Sequence, residues 1–82
     1  MNRKTINKKV NVTAVYFRQG LKTYPKRIEF DGSTYTFSED DALHMSIQRD
    51  GSSFQLFDMT DGVTSFRLRT EDNAGWTLVS MG

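Results

Sequence analysis

Cysteine is absent from this chain of 82 residues, which excludes a disulfide framework and any thiolate metal site. Proline occurs once, at Pro25, and nowhere does an apolar run approach the ~18 residues a membrane-crossing helix needs. The basic opening, Met1-Asn2-Arg3-Lys4, lacks the apolar stretch of a secretory signal, so the expectation is a soluble cytoplasmic protein with no membrane partner. Glycines stand singly rather than in the clusters that cradle phosphate. No Gly-x-Ser-x-Gly is present to set up an activated serine. Acidic residues are missing altogether before Glu29.

That last absence has a counterpart. Residues 1–28 hold Arg3, Lys4, Lys8, Lys9, Arg18, Lys22, Lys26 and Arg27, a charge of +8. Residues 29–82 hold ten acids against Arg49, Arg67 and Arg69, a charge of −7. A net charge of +1 therefore conceals a dipolar chain, and polarity of this kind bears on partners rather than on fold. With 37% hydrophobic and 12% aromatic residues the chain has enough apolar surface for a single core, near the lower size limit for one.

The patterning is that of short strands. Asp31-Gly32 reads as a two-residue hairpin turn, since both positions want positive φ and glycine adopts it without strain. It pairs Arg27 with Thr36, Ile28 with Tyr35, Glu29 with Thr34 and Phe30 with Ser33. Ile28, Phe30, Tyr35 and Phe37 then share one face. Asp50-Gly51 repeats the device, pairing Ile47 with Phe54 and Met45 with Leu56. Leu43, Met45, Ile47, Phe54 and Leu56 gather on its apolar face, with Phe57 exposed or moved inward by a bulge. A three-residue loop, Thr60-Asp61-Gly62, is expected next, with Gly62 left-handed, Leu56 opposite Phe66 and Phe54 opposite Leu68.

The strand over residues 9–18 and the last one, from Trp76, carry apolar residues on both faces, which implies burial on both sides or bulges. Residues 38–45 suit either one helical turn capped by Ser38 or a turn into a strand at Leu43. The expected architecture is all-β: an antiparallel meander of six or seven short strands forming a small barrel or strongly twisted half-barrel. Residues 1–8 read as a flexible basic arm and 9–82 as a single domain.

The segment Tyr24-Pro25-Lys26-Arg27-Ile28-Glu29-Phe30-Asp31-Gly32-Ser33-Thr34-Tyr35-Thr36-Phe37, with Gly75-Trp76-Thr77-Leu78 near the end, resembles small uncharacterised bacterial β-domains. Their pattern is Pro-x-x-Ile/Phe-x-Trp/Phe-x-Gly-x-x-Tyr-x-Val followed by strands ending in Gly-x-Trp-x-Leu. The resemblance covers about half the chain through Pro25, Ile28, Phe30, Gly32, Tyr35, Phe37, Trp76 and Leu78. It implies the β fold and a bacterial origin and transfers no site.

Candidate chemistry is sparse. His44, the sole histidine, is expected on the polar face of a strand, where catalysis would need converging partners. Glu39-Asp40-Asp41 and Asp58-x-x-Asp61 lack the loop spacing of a calcium site and read as turn residues. The expectation is a non-catalytic binding or accessory module without cofactor. The basic third, interleaved with aromatics, suggests nucleic acid as partner. Lys8, Lys9, Arg18, Lys22, Lys26 and Arg27 would meet phosphates, and Tyr24, placed in a loop, would stack on a base. The alternative is a protein–protein module, monomeric or weakly self-associating through its segregated charges.

Overall fold

The computed structural model describes residues 3–18, 22–71 and 75–82, with only the backbone of Arg18 and Lys22. Seven strands follow in chain order: β1 (Lys4–Arg18), β2 (Lys22–Phe30), β3 (Ser33–Thr36), β4 (Leu43–Arg49), β5 (Ser52–Thr60), β6 (Ser65–Thr70) and β7 (Trp76–Met81). They form one antiparallel sheet in the order β3-β2-β1-β7-β6-β5-β4. Its two ends do not pair with each other, so the all-β meander is a twisted half-barrel rather than a closed one.

Strand β1 makes this shape possible. Its first part, from Lys4 to Val10, pairs with β7, and its second, from Asn11 to Arg18, pairs with β2. Register shifts interrupt it between Thr5 and Lys8, between Val12 and Ala14, and between Ala14 and Val15. Asn7 takes a left-handed φ of 53° at the first of these. Each irregularity bends and twists the strand, and this is how apolar residues on both faces are accommodated. Residues 4–8, expected as a flexible arm, are therefore strand: the ladder to β7 uses their backbone groups.

Both Asp-Gly hairpins adopt the registers their sequences demand. Arg27 faces Thr36 and Phe30 faces Ser33; Met45 faces Leu56 and Ile47 faces Phe54. Asp31 and Gly32, at φ 54° and 78°, and Asp50 and Gly51, at 51° and 80°, are the paired left-handed residues of a type I′ turn. Residues 39–41 form a turn closed by a hydrogen bond from Ala42 N to Glu39 O, which leads into β4 and settles the alternatives for residues 38–45.

The loop after β5 departs from expectation. Thr60 faces Ser65, so residues 61–64 make a four-residue loop rather than a three-residue one. Asp61 Oδ1 accepts hydrogen bonds from the amides of Val63 and Thr64 at 2.9 and 2.7 Å, which draws two further residues into the turn. Gly62 is left-handed, as expected, at φ 95°.

Lengthening that loop decides which face of β5 meets the core. Phe57 pairs with Leu68 and Met59 with Phe66, and all four are buried. Consecutive strand residues project to opposite faces, so Leu56 and Phe54 point away from the core, with Leu43, Met45 and Ile47 beside them. The pairing of this hairpin is as expected from sequence, but its apolar face is turned outward. Leu43 is 64% exposed and Met45 37%.

The core joins Tyr24 and Ile28 of β2, and Phe37 just beyond β3, to Phe57, Met59, Phe66, Leu68 and Leu78. Phe66 lies between the rings of Tyr35 and Phe37, with centroids 5.0 and 4.9 Å away. On β7, Val79 is passed over between the Leu68–Leu78 and Arg67–Ser80 pairs, a bulge that lets Trp76, Leu78 and Met81 all pack inward. The segment crossing between the sheet's ends is tied to both halves: Phe37 N donates to Lys26 O at 2.7 Å and Ser38 N to Thr60 O at 2.8 Å.

Candidate binding surfaces

Among the described residues, the basic side chains divide between the two faces of the sheet. Lys8 lies opposite the buried Leu78 and Lys9 opposite Thr77, so the two adjacent lysines take opposite faces of β1. On β2, Arg27 shares the outer face with Thr36, and its Nε donates to Thr13 Oγ1 at 3.0 Å. Lys26 sits over the ring of Tyr16, Nζ 5.4 Å from the centroid, beside a ring packed on the core. The side chains of Arg18 and Lys22 lie outside what is described.

Tyr24 requires correction as the base-stacking residue. It belongs to β2, not a loop, and is only 9% exposed. Its ring meets Phe57 edge-on at 5.1 Å and His44 at 5.9 Å, so no face is offered to a base. Pro25, next to Tyr24, occupies the part of β2 that β3 does not reach, where a missing N–H is tolerated. The exposed aromatic at this end of the molecule is Phe17, at 80%.

His44 is also displaced from its expected surface position. The inward turn of Phe57 carries its cross-strand neighbour His44 to the same side, where the rings are 4.8 Å apart. Its Nε2 hydrogen-bonds Gln55 Oε1. Among the described residues, no three of His, Cys, Asp and Glu converge as metal ligands would. No helix there is long and apolar enough to cross a membrane.

A different surface emerges on the outer face of β4 to β7. Leu43, Met45, Ile47, Phe54 and Leu56 run along it, and a shallow depression exposes Phe54, Leu56 and Val79 between Arg67, Arg69 and Glu71. Its charges are matched in place. Arg67 Nε and Nη2 donate to Asp58 Oδ1 and Oδ2 at 2.8 and 2.9 Å, a bidentate pair. Arg69 pairs with Glu71 and lays its guanidinium over Phe54, 4.1 Å from the ring centroid. The face is an apolar stripe framed by neutralised pairs. Alternation alone would place Leu43, Met45, Ile47, Phe54 and Leu56 in the interior, whereas the pairing of Phe57 and Met59 with Leu68 and Phe66 turns them outward.

The hydrogen bonds from Arg67 hold the Asp58 carboxyl below its ordinary value of 3.8, opposed by partial burial and assisted by the charge of Arg3. An aspartate whose folded pKa is lowered stabilises the fold fully above its unfolded value, and that stability drains as pH falls through the lowered one. Asp58→Asn is therefore expected to destabilise at neutral pH by no more than about 1 kcal/mol, because the pair is partly screened by solvent. Its deficit against wild type should shrink below the ordinary value of 3.8. Urea titrations at neutral and strongly acidic pH check this; a deficit of equal size at both would refute the assignment.

No family model, curated protein or solved structure matches the chain.

Proposed function

We propose that this protein is a non-catalytic binding module of the cytoplasm whose working surface is the outer face of β4 to β7, and that its partner is protein. One observation carries the reading. Leu43, Met45, Ile47, Phe54, Leu56 and Val79 lie outside a core that other residues already fill. Contiguous apolar surface of this kind is retained where something covers it. Arg67 and Arg69 are committed to Asp58 and Glu71, so the stripe suits an apolar protein patch better than phosphate.

Met45 reports directly on cover, with the buried Met59 as internal reference. Oxidative footprinting of dilute purified protein should modify Met45 far faster than Met59. Inside cells Met45 should be protected, and nuclease treatment of the extract should leave that protection unchanged. Equal oxidation of Met45 in both settings overturns the reading.

The nucleic-acid reading retains one supporting observation, Phe17, which precedes Arg18 and faces Thr23 near the Arg18–Lys22 pair. On that reading Phe17 takes the stacking role first given to Tyr24, and oligonucleotide binding falls steeply with salt and is lost in Phe17→Ala. Protection of Met45 that vanishes on nuclease treatment would favour it.

A further inference from the structure

We infer that β4, which carries the most exposed part of this surface, pairs antiparallel with a second copy of the chain, continuing the sheet across a two-fold axis through Met45. The inference goes beyond the proposed function while drawing on the same outward turn of Leu43 and Met45: the second copy lengthens the apolar stripe across the axis and leaves its face open to a further protein partner.

Strand β4 ends the sheet. Natural edges are usually guarded by shortness, proline, lysine or a bulge. The opposite edge, β3, has four residues. By contrast, β4 has seven, Leu-His-Met-Ser-Ile-Gln-Arg, with no proline or lysine and an unbroken register to β5. It also carries the most exposed part of the apolar stripe, Leu43 and Met45.

The strand is self-complementary in one register. Directly opposed residues of an antiparallel pair share a face, and a two-fold axis normal to the sheet keeps both outer faces on one side. With the axis at Met45, Met45 meets its own copy and Leu43 meets Ile47 of the second copy, while Arg49 lies beyond the paired stretch because residues 39–41 form the turn before β4. Moving the axis to Ser46 sets Leu43 against Arg49, and moving it to His44 leaves Ile47 with no strand residue opposite. Only the Met45 register gives each of Leu43, Met45 and Ile47 an apolar partner within the strand.

An edge of this length buries less than the ~1,200 Å² of a standard interface, so the dimer is weak. Backbone hydrogen bonds and apolar contacts dominate it, so added salt changes it little. Association between the basic segment of one copy and the acidic region of another would instead collapse as salt rises.

Sedimentation equilibrium of the full chain from about 1 μM to about 1 mM, at low and high salt, tests the inference. A monomer–dimer equilibrium is expected, nearly independent of salt. Met45→Lys sets two ammonium groups across the axis and should weaken dimerisation at least about tenfold while the circular dichroism stays native, since Met45 is exposed. A monomer at every concentration, or a dimer indifferent to Met45→Lys, would overturn the inference. A monomeric pure protein whose Met45 is still protected in cells removes the second copy as partner and leaves the protein-binding reading standing. Met45 left unprotected in cells removes that reading itself.

Discussion

Phe66→Ala lowers stability by about 3–5 kcal/mol, the usual cost of truncating a fully buried aromatic. Phe66 has no solvent exposure, and its ring is shared with Tyr35 and Phe37. Truncation removes the ring packing of Tyr35 and Phe37 against β6, one of the contacts that joins the two halves of the sheet. A domain of this size has a total stability on the order of 4–12 kcal/mol, so the variant sits near the threshold of folding. Urea denaturation followed by tryptophan fluorescence measures the loss. A change below about 1 kcal/mol would mean that the cavity is already present in wild type or that the two halves do not pack as described.

The second large effect separates neighbours. Phe57→Ala is expected to cost about 3–5 kcal/mol, and Leu56→Ala about 1 kcal/mol or less. Phe57 is buried against Tyr24 and Trp76, with ring centroids 5.1 and 5.2 Å away, whereas Leu56 is half-buried on the outer face. Were the hairpin facing as its alternation alone suggests, the order would reverse. The same urea experiment on both variants decides between them, and equal losses would contradict the two-sided account of β5.

Those neighbours also show where sequence information ended. The two Asp-Gly turns determine local pairing because their φ requirements and the alternation on both sides agree, and the registers around residues 31–32 and 50–51 follow from them. Which side of a hairpin faces the core is a tertiary property. Phe54 and Leu56 compete with Phe57 and Met59 for that role on equal apolar terms. The choice falls to the loop at residues 61–64, where the Asp61 carboxylate captures two amides. That hydrogen-bond pattern leaves no periodicity to read. The long first strand was harder still, since its three irregularities follow from matching β7 on one side and β2 on the other.

The candidate surface was legible in composition and not in placement. The charge split between residues 1–28 and 29–82 is real, but a strand sends adjacent residues to opposite faces, so Lys8 and Lys9 part company, as do Lys26 and Arg27. Tyr24, expected in a loop, lies in β2 beyond the stretch that pairs with β3, and its ring packs into the core. The outer apolar stripe was visible residue by residue. Its exposure became apparent only once Phe66 and Leu68 were seen to be paired with Met59 and Phe57.

The measurement closest to the central claim is the set of proton–proton contacts that Phe57 and Leu56 make in solution. Nuclear Overhauser effects from the Phe57 ring to Tyr24 and Trp76, with none from Leu56 to either, are the predicted result. Effects joining Leu56 to Trp76 and to Phe66, with Phe57 silent toward both Tyr24 and Trp76, would turn the hairpin over and abolish the outer stripe on which the proposed function and its self-pairing depend.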